Sequence, residues 1–519
     1  MVKIKKEKKL PSDIHALQAL LTQQNALIAT LKESLQQQVQ TNKQLEVMIA
    51  NLQQQVETLL RQLYGKKSER KPKPPAPEQG NTGGTSPSGK TPKGSSSHPK
   101  GRRKLSPHLE RQQVVHDLPE SEKICSQCTK PLSPMGEEIS EQYEFIPAKL
   151  MVLEHIRPKY VCRPCAGNIK IGPMPYQAID KGLAGPGLLA EVLINKYEDA
   201  LPLYRQEQRW QRLGVELSRS TLCAWVAGCA RLLEPLVFHM KEKALLASLK
   251  IHVDDTPEPV LTKGKGKTHT GRLWVYIGGG GPAPPCTIFD YSQNRSQEVP
   301  KQFLKGYKGY LQADAYAGFD GLYVSGEIIE CACLAHARRK FYEITQAVKA
   351  PCLADEAIAF IGKLYDIERH IKEFDVQQRK FYRKRYAKPI LKRFKCWLNL
   401  HKEQTLPKSP IGKAISYALN HWRALCHYLR EGYLDIDNNA AERAIKPLVL
   451  GRKNYLFFGS HEGGKYAAII YSLIATCKQH GVNTYDYLKD VLARLPSQKI
   501  GKIDELLPYN WKTQQQVVF

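Results

Sequence analysis

No run of eighteen or more apolar residues occurs in this 519-residue chain. A helix crossing a bilayer needs about 20 such residues, so membrane spanning is not expected. The first residues, Met1-Val2-Lys3-Ile4-Lys5-Lys6, lead into a polar helical stretch where a secretory leader would continue with an apolar core. A disulfide scaffold is also missing. The 13 cysteines are scattered, apart from two Cys-x-x-Cys pairs, a usage that suits a reducing cytoplasm and one metal site. Acid is the scarcer charge, with 50 Asp and Glu against 77 Lys and Arg, giving a net charge of +27. That surplus favours a polyanionic partner, and without an apolar span nucleic acid is a better fit than a membrane face. The glycine run Gly278–Gly281 lacks the Lys-Ser/Thr ending of a phosphate-binding loop and reads as a turn.

Against these absences stand three acids in separate settings. Asp254 ends Ile251-His252-Val253-Asp254, and Asp314 ends Gly309-Tyr310-Leu311-Gln312-Ala313-Asp314. Both follow short extended apolar runs, which predicts a carboxylate at or near each strand end. Glu442 lies in Asp437-Asn438-Asn439-Ala440-Ala441-Glu442-Arg443, a segment with helical composition. Carboxylates converging from two strands and a helix can hold two divalent cations that clamp an in-line displacement at phosphorus.

The chain between and before these acids divides by pattern. Residues 13–64 repeat apolar positions every three and four residues without Pro or Gly, which predicts a coiled coil. Asn42 on that seam favours a parallel dimer. Residues 66–105 hold seven prolines and eleven Lys or Arg against two Glu, and read as a disordered basic linker. From 106 to 175, Cys125, Cys128, Cys162 and Cys165 form two knuckles 33 residues apart, the donor set of a structural zinc site. The gap has room for strands at Gln142–Ile146 and Met151–Ile156. Residues 183–236 read as a helical, helix-turn-helix-like DNA-binding region. There Arg219, Ser220 and Thr221 face DNA, while Leu222, Trp225 and Val226 pack inward; an ordinary helical pair is the alternative.

A catalytic domain is expected over 248–450. Three hairpin-joined strands, a helix, then strands alternating with helices is the order of a ribonuclease-H-like fold. Between Asp314 and Glu442 lie 127 residues, most of which, about 345–430, read as inserted helices. Within them Arg379–Lys395 has nine basic residues and no acid, with Phe381, Tyr382, Tyr386 and Phe394 interleaved. Such a stretch either grips phosphates and unstacked bases or forms a solvated face over a buried aromatic stripe. Residues 451–519 read as a helical C-terminal region.

Several long motifs resemble the DDE transposases of the insertion-sequence 66 family. They are His252-Val253-Asp254-Asp255-Thr256-Pro257, Leu311–Gly318, Cys333-Leu334-Ala335-His336-Ala337-Arg338-Arg339-Lys340-Phe341 and Asp437–Ile445, with Leu63–Arg70 and Gly451-Arg452-Lys453-Asn454 on either side. The resemblance implies Asp254, Asp314 and Glu442 as the catalytic triad, with Asp254 bridging two Mg²⁺ or Mn²⁺ ions. The family usually has Glu where Asp255 stands, which makes Asp255 a competing ligand to consider. DNA contacts are expected from Arg338, Arg339, Lys340, Arg383, Lys384, Arg385, Arg443, Arg452 and Lys453. His252 and His336 are candidates for holding phosphates or supporting the carboxylates.

The resulting expectation is a multidomain α/β transposase in the bacterial cytoplasm, associated with the nucleoid. It would act on double-stranded DNA, at the terminal inverted repeats of a mobile element and at the target. Mg²⁺ or Mn²⁺ would serve catalysis and Zn²⁺ structure; element-encoded helper proteins are further candidate partners. A metal-dependent nuclease of the same fold and a zinc-containing DNA-binding regulator are the alternatives.

Overall fold

A computed structural model describes residues 14–64, 150–156, 159–162, 167–171, 176–180 and 182–511, apart from 263, 265 and 349. The basic linker, Gln142–Ile146 and three of the four paired cysteines (Cys125, Cys128 and Cys165) lie outside the described residues. The chain divides into two compact units, 69–171 and the remainder.

In the larger unit α1 (Ile14–Tyr64) is one continuous 51-residue helix. Ile14, Leu21, Ile28, Leu31, Leu35 and Ile49 of its predicted seam are exposed. In the smaller unit β1 (Lys159–Cys162) and β2 (Gly167–Ile171) pair antiparallel, with Cys162 as the last residue of the first strand. Met151–Ile156 forms no strand, which corrects the expectation for that segment.

Three helices precede the sheet: α2 (Pro186–Tyr197), α3 (Leu203–Arg212) and α4 (Arg219–Met240). Ser218 caps α4, its Oγ accepting the Thr221 N–H at 3.2 Å. By length and composition Arg219–Leu245 could cross a membrane. In the fold, Leu222, Cys229, Leu233, Leu236, Met240 and Leu245 are buried in the same hydrophobic core as the sheet.

The sheet contains β3 (Lys250–Leu261), β4 (Thr268–Gly279) and β5 (Cys286–Ser292), then, after α5 (Glu298–Phe303), β6 (Gly309–Ala313) and, after α6 (Asp320–Tyr323), β7 (Ile328–Ala332). Their spatial order is β5-β4-β3-β6-β7. The first three pair antiparallel, whereas β6 runs parallel to both β3 and β7. Hairpins join the antiparallel strands and helices cross over to the parallel ones, as connection length requires.

Six helices follow: α7 (Leu334–Ala347), α8 (Leu353–His370), α9 (Val376–Tyr382), α10 (Lys388–Gln404), α11 (Pro410–Asn420) and α12 (Trp422–Leu425). All of these except α9 contribute to a second core around Phe341, Ile361, Leu364, Phe394 and Ile415, joined to the sheet through β7. The chain then returns in α13 (Asn439–Tyr455), α14 (His461–Gln479) and α15 (Thr484–Arg494).

Helix α14 closes the open edge of β5. Ser472 Oγ accepts the Phe289 N–H at 2.8 Å, and Thr476 Oγ1 accepts the Thr287 N–H at 3.1 Å and donates to the Thr287 carbonyl at 3.0 Å. Four residues of helix rise about 6 Å and two residues of strand about 6.6 Å, so hydroxyls at i and i+4 match ladder groups at i and i+2. An edge that would otherwise invite another strand is thereby satisfied within the chain.

Candidate active site

The register of β3 against β6 aligns the first two acids. The parallel ladder ends at His252 opposite Gln312. Asp254 and Asp314 each lie two residues beyond that pair, in equivalent positions where the strands part. Because side chains alternate, each acid shares a face with its ladder residue, His252 or Gln312. Asp254 is thus in the middle of β3, which continues to Leu261 as a hairpin with β4, and not at a strand end as expected. Asp314 directly follows β6, as expected.

Glu442 is in the first turn of α13, and Asn438 fixes where that helix starts. The buried Asn438 amide donates from Nδ2 to the Val253 carbonyl at 2.8 Å, and its Oδ1 faces His252 Nδ1 at 2.9 Å. His252 Nε2 faces Asp435 Oδ2 at 2.9 Å, and Lys250 pairs with the same carboxylate. Gln312 exchanges two hydrogen bonds with the Asp435 backbone, at 2.7 and 2.9 Å. Burial works against the Asp435 charge. The His252 hydrogen bond and the Lys250 ammonium outweigh it and hold the carboxyl well below the usual range. The loop carrying α13 is therefore tied to both strands that carry the other acids. His252 acts within this brace; nothing in the sequence marked Asp435, and Gln312 and Asn438 were each visible only as part of a motif.

The charges at the three acids are uncompensated to different degrees. Burial raises the Asp254 carboxyl to about 7, with Asp314, Asp255 and Glu442 adding like-charge repulsion; the Asp255 N–H, donating at 2.8 Å, opposes the shift. Glu442 faces two groups of α7, His336 Nε2 at 3.8 Å and Arg339 at 3.6 Å. Burial and the nearby Arg339 lower the His336 pKa, so this imidazole is mainly neutral near pH 7. Among the described residues no three His, Cys, Asp or Glu side chains converge closely enough to hold a metal ion. The acids are electrostatic neighbours, with Glu442 turned toward α7.

Asp255 is on the opposite face of β3. Arg272 and Arg295 bind its two oxygens at 3.0 and 2.8 Å, and its side chain is nearly inaccessible. That arrangement takes Asp255 out of competition as a ligand.

The remaining candidate residues separate into exposed and engaged groups. Arg219 and Ser220 are exposed, but Arg219 pairs with Glu207 at 3.5 Å, while Ser220 and Thr221 bond to Ser218 within the cap. Arg339, Lys340, Lys384, Arg385, Arg443 and Lys453 are exposed. Arg338 is half-buried near Tyr342. Arg452 is turned onto β3, bonding to Thr256 Oγ1 at 3.1 Å and the Pro257 carbonyl. Arg383 corrects its assignment as a DNA contact. It is fully buried, paired with Glu368 at 2.6 Å and donating to the carbonyls of Tyr428 and Glu431.

The far end of α13 is fastened at a buried acid on the same face as Asp254. Tyr455 donates to Glu258 at 2.7 Å, Arg452 is 4.0 Å away, and burial raises the Glu258 carboxyl to about 7. Asn454 donates to the Ala200 carbonyl, so the Gly451-Arg452-Lys453-Asn454 motif clasps α13 to β3 and to the turn after α2.

The family model described as "Transposase IS66 family" matches residues 181–466, more than half of the chain, and so spans both strand acids and Glu442. The chain belongs to the IS66 transposase family. Two companion models agree with this: the zinc-finger binding domain of transposase IS66 at residues 122–166 and the IS66 C-terminal element at 472–509. The first encloses Cys125, Cys128, Cys162 and Cys165, and the second begins at Ser472, where α14 closes β5. Among relatives in Sinorhizobium fredii (strain NBRC 101917 / NGR234), uncharacterized protein y4hP is 35% identical over 424 residues, 78% of this chain and 76% of that protein. Uncharacterized protein y4jD is 34% identical over 423 residues, covering 79% and 82%. Family membership makes the protein a transposase and DNA its partner.

Proposed function

We propose that the protein binds the ends of a mobile DNA element and performs metal-dependent strand cleavage and strand transfer there, with Asp254, Asp314 and Glu442 as the acidic triad. The observation that carries this reading is the equivalent register of Asp254 and Asp314, next to a helix that Asn438 anchors to β3 and that carries Glu442. The sheet order, three antiparallel strands then two parallel ones, supports a ribonuclease-H-like fold for this domain.

The donor set fits hard divalent cations. Burial, with repulsion from the neighbouring carboxylates, leaves the half-buried Asp254 reluctant to ionise, a state that a cation would relieve. When bound, such cations supply a Lewis acid that activates the attacking oxygen and stabilises the departing one. The residues themselves hold the donors in place. The brace of Lys250, His252, Gln312, Asp435 and Asn438 fixes the backbone from which Glu442 projects. His336 and Arg339 keep the Glu442 carboxylate oriented toward α7, and Arg272 and Arg295 keep Asp255 out of the site.

In the smaller unit, Cys125, Cys128, Cys162 and Cys165 are proposed to hold one structural Zn²⁺, supported by the family match over 122–166. The exposed seam of α1 supports a parallel coiled-coil dimer through residues 13–64, with Asn42 on the seam.

Incubating the full-length protein with labelled element ends, Mg²⁺ and a target plasmid tests the central reading. Joined products are expected. Cut but unjoined ends would make the protein a nuclease, and unchanged DNA a binder without catalysis.

A further inference from the structure

The continuous helical run 376–404 has two faces of opposite character, separated at a π-helical turn, Arg383–Ala387. Its inner face is bolted down. Arg379 reaches Glu368 and Asp435 at 3.9 and 3.8 Å, Lys380 pairs with Glu431 at 2.9 Å, and Arg383 is buried against Glu368. Ala387, Leu391 and Phe394 continue that face into the second core. The outer face presents Phe381 (64% exposed) and Tyr386 (51% exposed), flanked by the exposed Lys384, Arg385 and Lys388.

The exposed rings belong to an ordered cluster. Tyr382 is 5.4 Å from Tyr386, 5.9 Å from Phe381 and 5.0 Å from Phe374, centroid to centroid. Both rings rest on Tyr382 yet stay more than half exposed beside cations, on a stretch without acid from 379 to 395. The same composition is complementary to a single nucleic-acid strand, in which every base offers a π face and every linkage a negative charge. A paired duplex hides its base faces, and a protein partner would not call for so many cations. Arg379, in the helical turn before it, reaches Asp435, which braces Lys250 and His252 of β3, so the platform is anchored to the loop that positions the carboxylates.

We propose that Phe381 and Tyr386 stack bases of unpaired DNA while Lys384, Arg385 and Lys388 hold the flanking phosphates. This rests on the reading that the protein opens and rejoins DNA strands. The test uses full-length protein without added Mg²⁺ or Mn²⁺ and an oligonucleotide carrying 2-aminopurine, presented single-stranded or paired with its complement. Phe381→Ala with Tyr386→Ala should weaken single-strand binding roughly tenfold or more and reduce quenching of the 2-aminopurine. Duplex binding and the melting temperature should stay unchanged, and Phe381→Tyr should retain single-strand binding. Equal weakening on both substrates, no weakening on either, or loss of self-association in place of DNA binding would overturn the proposal. No cation is needed in this assay, so Asp314→Asn protein should bind like the parent. Failure here leaves the triad untouched, and failure of strand joining leaves this result standing.

Discussion

The two faces of β3 treat neighbouring carboxylates in opposite ways. On one face Asp255 is enclosed by Arg272 and Arg295, both oxygens engaged. On the other, one residue earlier, Asp254 is half-buried with further acids as its closest charged neighbours and a carboxyl raised to about 7. A buried charge kept for structure brings its counter-ion with it, because an unpaired one is expensive. A buried charge left among like charges is relieved by taking up a proton or by an incoming cation. This contrast, more than the presence of acid, separates the proposed metal-binding carboxylate from a structural one.

The largest expected effect tests the uncompensated side. Asp254→Asn, Asp314→Asn and Glu442→Gln should each lower cleavage and joining on the order of a thousandfold or more, the scale of several kcal/mol of lost charge stabilisation. Asp254→Asn should melt no lower than the parent, since it removes a strained charge. An Asp314→Asn protein that joined ends at near-normal rates would end the assignment.

The same contrast operates within the basic helix. Arg383→Ala removes the closest partner of Glu368 and the donor to the Tyr428, Glu431 and Gly432 carbonyls, and should cost about 3–5 kcal/mol in denaturant unfolding. Lys384→Ala, one residue on, should shift stability by less than about 0.5 kcal/mol and instead reduce the salt dependence of DNA binding by about one unit of slope. A stable Arg383→Ala protein with weakened DNA binding would reverse this assignment.

A smaller loss is expected from Asp255→Asn. It leaves two arginines without their carboxylate, but both are partly solvated, so about 2 kcal/mol is the expected destabilisation. Strand joining at a permissive temperature should persist. Abolished catalysis with an unchanged melting temperature would show that Asp255 belongs to the working set after all.

Glu258 gives the finest test, because it is a buried acid whose partners keep it only partly compensated. Its folded-state pKa of about 7 lies above the model-peptide value of 4.5. The folded state therefore binds the extra proton between those values, and this contribution to stability is present below pH 4.5 and lost as pH rises through 7. Glu258→Gln should remove that slope and exceed the parent in stability above pH 7 by on the order of 1–2 kcal/mol. Parallel stability–pH curves for the two proteins would show that Arg452 and Tyr455 compensate the charge fully.

Much of this was legible in one dimension. The extended runs ending at Asp254 and Asp314 were readable because side-chain alternation and short apolar runs are local signals. The inward packing of Leu222, Trp225 and Val226 followed from helical spacing for the same reason. The brace around Asp435 was not legible, since His252, Gln312 and Asp435 are far apart in sequence and each alone is an unremarkable polar residue. Nor was the burial of Arg383, because a run of basic residues looks equally solvated at every position until a helix assigns its faces.

By itself the sequence determined the extended runs before Asp254 and Asp314, the acidic candidates and the four-cysteine pattern, because propensity, periodicity and spacing act over a few residues. Tertiary structure alone decided which of two adjacent aspartates is neutralised and which basic residues remain outside. It alone decided that α14 would close the sheet edge and that one core would join residues as distant as Leu189 and Leu507. Those outcomes depend on pairing register, on the alternating faces of a strand and on charges brought together across more than a hundred residues. Only the folded chain contains those relations.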